Sequence, residues 1–175
     1  MKGRRELGDR YNESRTLNNL GSVYQAQGRW EQAIECYQES LRIKRELGDR
    51  HGEGVSLGNL GGLYTKCGSW AEAKENLKRS LSILQELGDP QNAAEALHYL
   101  GEWHKGQGQL DEAVARYQEA LRIRREMEAW PHAGETLHAL AEVYVLKGDW
   151  AKAAEMAEQA AEAWRRAAER GRING

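Results

Sequence analysis

The chain has 175 residues, with 25 Lys+Arg against 27 Asp+Glu, a net charge of -2, 30% charged and 40% hydrophobic residues. That balance supplies no field to draw nucleic acid or an anionic membrane surface, and no apolar run approaches the ~18 residues of a membrane span. Cys36 and Cys67 form no paired framework and read as reduced thiols of a cytoplasmic protein, and the polar opening MKGRRELGDRYNESRTLNNL carries no signal peptide.

Taken in chain order, Arg5-Glu6-Leu7-Gly8-Asp9 copies the tail of a later helix, so the chain is expected to begin inside a repeat. Leu17, Leu20 and Tyr24 follow at i, i+3, i+7, which predicts a helix with that face turned to its neighbours. Gly28 ends it as a cap residue able to take positive φ. Ala33, Tyr37, Ser40 and Leu41 repeat the spacing on a second helix that starts near Trp30, and the small Gly21 and Ala33 let the two helices approach closely. In Leu47-Gly48-Asp49 the glycine stops the second helix and the aspartate is placed to cap the next.

A shift of forty residues then overlays the chain on itself without gaps. Leu17, Leu57, Leu97 and Leu137 align, as do Gly21, Gly61, Gly101 and Ala141, and Gly28, Gly68, Gly108 and Gly148. Trp30, Trp70, Leu110 and Trp150 recur after the turn, which argues for a packing role at the start of each second helix. Asp89-Pro90 is a helix start. The fourth junction departs: Ala129 stands where the capping Asp is expected, and Trp130-Pro131 starts the helix by packing instead. The last helix is Ala-rich and carries Trp164.

The segments LNNLGSVYQAQGRWEQAIECYQESL and LGNLGGLYTKCGSWAEAKENLKRSL resemble tetratricopeptide (TPR) repeats, and the resemblance covers nearly the whole chain. The family's usual period is about 34 residues. The forty-residue form with an ELGD-type junction is similar to that of Pins-type adaptors, kinesin light chains and bacterial regulators. The resemblance implies an all-α, right-handed superhelical solenoid of four TPR helix-turn-helix units, about 10–49, 50–89, 90–129 and 130–169. It also implies a concave groove, lined by the first helix of each unit, that holds a protein or peptide segment.

Residues between the packing positions are expected to line that groove: Arg15, Asn18, Asn19, Ser22 and Gln25, then Val55, Gly58, Asn59, Gly62 and Thr65. The third unit gives Glu95, His98, Tyr99, Glu102 and Lys105, and the fourth Glu135, His138, Ala139, Glu142 and Val145. Asn19 and Asn59 are family-like binding residues whose amides can hold an extended backbone. Gly54, Gly58 and Gly62 form a stripe read as a bare groove floor, at ~1 kcal/mol per glycine relative to alanine. Glu95, Glu102, Glu135 and Glu142 would attract basic side chains of a partner. The dicarboxylate clamp of co-chaperone TPR domains is missing, because Glu95 and Tyr99 stand where it needs basic residues.

His98 with Glu102 and His138 with Glu142 could approach a metal site, but a full repeat separates them and the reading is no metal and no cofactor. Arg42, Lys44, Arg45 and Arg122, Arg124, Arg125 read as solvated faces of second helices, with no basic stripe for nucleic acid. No catalytic constellation is present, so the expected function is a non-enzymatic scaffold. The alternatives are a self-associating spacer joined end to end, through the edge at Leu7 and the Trp164 helix, or a sensory module of a larger regulator.

Overall fold

The structure, a computed structural model, describes the backbone of residues 2–173 and the side chains of residues 8–172. Eight helices and no strand occur among the described residues: α1 (Lys2–Ala26), α2 (Trp30–Glu46), α3 (Arg50–Cys67), α4 (Trp70–Glu86), α5 (Pro90–Gly106), α6 (Leu110–Glu126), α7 (Trp130–Leu146) and α8 (Trp150–Ile173). The fold is an all-α repeat of four helix pairs. The chain divides into two compact units, Met1–Asn92 with α1 to α4 and Ala93–Gly175 with most of α5 and all of α6 to α8.

In unit 1 each pair closes on a glycine. A Cβ on Gly21 would stand 2.7 Å from the Tyr37 ring, and one on Gly61 would stand 2.5 Å from Leu77 Cγ. Ser40 donates its hydroxyl to the Ser14 carbonyl (2.8 Å), and Ser80 does the same to Gly54 (2.7 Å). Small residues at these crossings bring the second helix onto the backbone of the first. Tyr37, Leu41, Leu57, Leu60, Leu63 and Ile83 fill the core, each large apolar side chain contributing about 1.5–3 kcal/mol by leaving water.

Unit 2 repeats the device with Gly101, where a Cβ would meet the Tyr117 ring at 2.6 Å. Alanine is tolerated at position 141 because the register position of Tyr37, Leu77 and Tyr117 holds the small Ala157 on α8. Tyr117, Leu121, Leu137, Leu140, Val143 and Tyr144 form the core. The indole of Trp164 lies directly over Gly134.

The turn glycines adopt positive φ, for example Gly68 at 75°, which caps α3. Asp49 accepts from the Gly52 N–H (2.8 Å) and Asp89 from the Asn92 N–H (3.0 Å), as the spacing predicts. At the fourth junction Ala129 makes no side-chain cap bond, and the residue before it, Glu128, is forced to φ 54°, a conformation that costs a side-chain-bearing residue about 1 kcal/mol or more. Arg170 pairs with the Glu128 carboxylate. The Arg166 guanidinium lies 4.9 Å over the Trp130 ring, so packing does accompany this helix start.

Three expectations are corrected. First, Gly8-Asp9 does not stop a helix, since α1 runs unbroken through both residues. At Gly48-Asp49 the turn is held by the Asp49 N–H bonding to the Lys44 carbonyl and by α2 and α3 packing together. A glycine alone costs a helix only about 1 kcal/mol. The side chain of Leu7 lies outside the described residues. Second, Leu20 does not pack inward: it is 39% exposed, whereas Leu60 and Leu140 are buried beside Leu41 and Leu121 of a preceding second helix. Third, Trp150 is exposed by 68% rather than packed, whereas Trp30 and Trp70 keep only about a third of their surface in solvent.

Candidate binding faces of the first helices

In unit 1, Arg15, Asn19 and Ser22 are exposed on α1, and Asn18 on α1 and Asn59 on α3 are half-buried. The Asn59 amide donates to Asn18 Oδ1 at 3.3 Å. The amide that α3 brings to α1 therefore meets Asn18, and Asn19 stays in solvent. The Ser22 hydroxyl lies 3.1 Å from Tyr37 Oη, which in turn donates to Gln25 Oε1 at 3.2 Å. Tyr37 thus reaches from α2 through to the α1 surface. The expected glycine floor is corrected: Gly54 and Gly58 face α4, with Ile83 Cγ2 and Ser80 Oγ each 3.0 Å from the would-be Cβ, and Gly62 is buried as well. Gly54 and Gly58 serve helix contact, because an i, i+4 stripe rotates about 40° per step and runs into the pair's own seam.

In unit 2 two of the four glutamates of α5 and α7 are paired with cations of the chain, and the other two lie beside imidazoles. Glu95 accepts from Arg124 at 2.6 Å and Glu142 from Lys105 at 2.8 Å, with His138 3.7 Å from Glu142. Glu102 lies 3.9 Å from His98, and Glu135 lies 3.1 Å from His132. The His98 ring meets Tyr117 edge-on at 5.2 Å and Tyr99 at 6.0 Å. The acidic wall read from the sequence is therefore partly neutralised within the unit, and at Glu95 or Glu142 a basic partner residue would have to exchange for Arg124 or Lys105. Among the described residues no group of three or more His, Cys, Asp or Glu is arranged to hold a metal ion.

The residues that sequence reasoning misplaced are Lys44 and Arg124. Both read as solvated, yet they are 6% and 4% exposed. The Lys44 ammonium donates to Ser56 Oγ at 2.8 Å. Burial pushes its pKa below the ordinary lysine value, against a smaller opposing effect of Asp49. Arg124 donates to Thr136 Oγ1 (2.5 Å), the His132 carbonyl (2.9 Å) and Glu95, with His98 Nδ1 at 3.4 Å. Their neighbours did stay at the surface: Arg42 pairs with Glu39 and Glu46, and Arg122 with Glu126. A signal was present in the sequence. The same repeat position holds Leu84 and Trp164, and twelve residues beyond each buried cation stands a hydroxyl, Ser56 or Thr136.

Paired helices with glycine seams and polar first-helix faces define a helical-repeat protein. The chain belongs to the tetratricopeptide repeat family: one model of that family matches residues 12–66 and 53–126, and a second matches residues 136–169. Proteins of this family are generally non-enzymatic scaffolds. No curated protein matches the chain. Among solved structures it resembles BtubC (BKLC) from P. vanneervenii, at 24% identity and TM-score 0.75, over 90% of this chain and 65% of that one. A Rap protein complexed with Competence and Sporulation Factor gives 18% identity and TM-score 0.82, over 89% and 44%. Aspartyl phosphate phosphatase F from Bacillus subtilis gives 13% and 0.82, over 91% and 42%. The chain thus spans about two thirds or less of the length of these relatives, and likeness at such identities carries the fold alone. No helix among the described residues is long and apolar enough to cross a membrane.

Proposed function

We propose that the chain is a scaffold that holds an extended segment of a partner protein against its first helices. The observation that carries this reading is the amide surface of unit 1, with Asn19 in solvent and Asn18 bonded to Asn59 across α1 and α3. Such amides offer donors and acceptors to a passing main chain. Glu102, Glu135 and Glu142 supply secondary contacts to basic side chains, at Glu142 by exchange for Lys105. Two free cysteines, one of them exposed, fit a cytoplasmic setting.

A photo-crosslinking residue at Asn19 is expected to trap the partner, while one at Glu72 on α4 traps nothing. Equal trapping from both positions contradicts the reading. The double variant Asn19→Ala/Asn59→Ala is expected to weaken partner binding in titration calorimetry without lowering Tm.

Self-association is the second reading, favoured by the exposed Leu20 and Val23 on α1 and by the 44% exposure of Trp164 on α8. Sedimentation across a concentration series decides it, since a monomer at every concentration removes it.

A further inference from the structure

Lys44 and Arg124 occupy one repeat position, and their surroundings differ by a charge. In unit 2 the Arg124 guanidinium is closed over by the half-exposed Glu95 at 2.6 Å. The repeat register places Arg15 where Glu95 stands, Asn18 where His98 stands and Ser56 where Thr136 stands. Unit 2 therefore supplies its own carboxylate, and unit 1 supplies a second cation instead. Among the described residues no carboxylate lies within 4.0 Å of the Lys44 ammonium or the Arg15 guanidinium. Asp49, the carboxylate that bears on Lys44, has one oxygen committed to the Gly52 N–H at the start of α3. An ammonium that is hydrogen-bonded only to a hydroxyl, with Asp49 acting on it more weakly than burial does, gives up hydration without a matching Coulombic return. Filling the space does not require it, since Leu84 and Trp164 hold the same position.

We infer that unit 1 is completed from outside: its α1–α3 face takes an Asp or Glu side chain of an extended partner segment, seated between Arg15 and Lys44 as Glu95 sits over Arg124. The inference rests on the scaffold reading above. The occupant is an internal acidic side chain because it stands in for a glutamate. The Asn18–Asn59 amides beside it also suit a main chain that continues past. Lys44 comes from a second helix, and neither it nor Arg15 stands at the third-unit positions, those of Glu95 and Tyr99, where the co-chaperone clamp needs its basic residues.

The test is an NMR titration of the full chain with three decapeptides of Gly and Ser, acetylated at the N-terminus. One carries a central Glu and a C-terminal amide, the second Gln and an amide, and the third Gln and a free C-terminal carboxylate. The Glu peptide is expected to shift amides of α1 and α3 and to bind about tenfold more tightly than its Gln counterpart, as a charge-assisted contact does. Arg15→Glu gives unit 1 the arrangement of unit 2. It is expected to raise Tm by about 3 °C and to abolish the Glu preference. Lys44→Met is expected to keep or raise Tm with the same loss of preference. Equal affinities for Glu and Gln peptides, no shifts at all, or shifts with the free-acid peptide alone overturn the inference. So does an Arg15→Glu variant of lower Tm that keeps the preference. The scaffold reading is decided separately by the cross-link at Asn19, so the two failures are distinguishable.

Discussion

In unit 1 the buried cation of the second helix meets a hydroxyl, and the neighbouring first helix adds Arg15 in the open. In unit 2 the equivalent cation meets a hydroxyl, a backbone carbonyl and the Glu95 carboxylate. The junctions differ in the opposite sense. Unit 1 has capping aspartates at Asp49 and Asp89, whereas unit 2 has the uncapped Ala129 behind a left-handed Glu128. One repeat geometry thus tolerates an incomplete polar site in one place and a strained turn in another. The helix seams supply enough apolar burial to carry both, and the two defects can be repaired or transferred by single substitutions.

The largest expected effect comes from imposing the unit 1 situation on unit 2. Glu95→Gln leaves Arg124 buried without its counter-ion and is expected to lower stability by about 2–3 kcal/mol in urea unfolding. A loss below 0.5 kcal/mol, on the order of an exposed pair, would mean that Arg124 is solvated in solution. Next, Gly101→Ala drives a Cβ into the fully buried Tyr117 ring and is expected to cost about 2 kcal/mol, although alanine is native at position 141. A gain in stability would show that Tyr117 repacks freely.

Giving unit 2 the unit 1 junction works the other way. Glu128→Gly with Ala129→Asp relieves the positive φ and adds a cap, with an expected gain of about 1–2 kcal/mol after loss of the exposed Arg170 pair. An unchanged Tm would falsify the strain assigned to Glu128.

The smallest effect is a pH dependence confined to unit 1. Burial holds the Lys44 pKa below its unfolded value, so the protonated form is disfavoured in the folded chain. Between the lowered folded pKa and the unfolded value of about 10.4 the unfolded chain binds more protons, and stability attributable to this group rises with pH. Burial raises the Tyr37 and Tyr117 hydroxyls, which act in the opposite sense, so the informative quantity is a difference. The stability advantage of Lys44→Met over the natural chain is expected to shrink as pH rises toward 10. A constant advantage would place the ammonium in water.

The sequence alone determined the forty-residue repeat, the pairing of helices, the turn glycines and the aspartate caps at Asp49 and Asp89. It also carried the family resemblance. Each of these depends on local spacing or on backbone chemistry that a residue type reports by itself. Tertiary structure decided the rest. Lys44 and Arg124 sit at the margin between a helix's buried and solvated faces, so only the adjacent first helix determines whether their ends are covered. Glu95 and Glu142 look like part of a free acidic wall until α6 brings Arg124 and α5 brings Lys105 against them. Helix periodicity states which side of a helix a residue is on; it does not state which neighbour arrives there, and the net charge of the first-helix faces depends on that arrival.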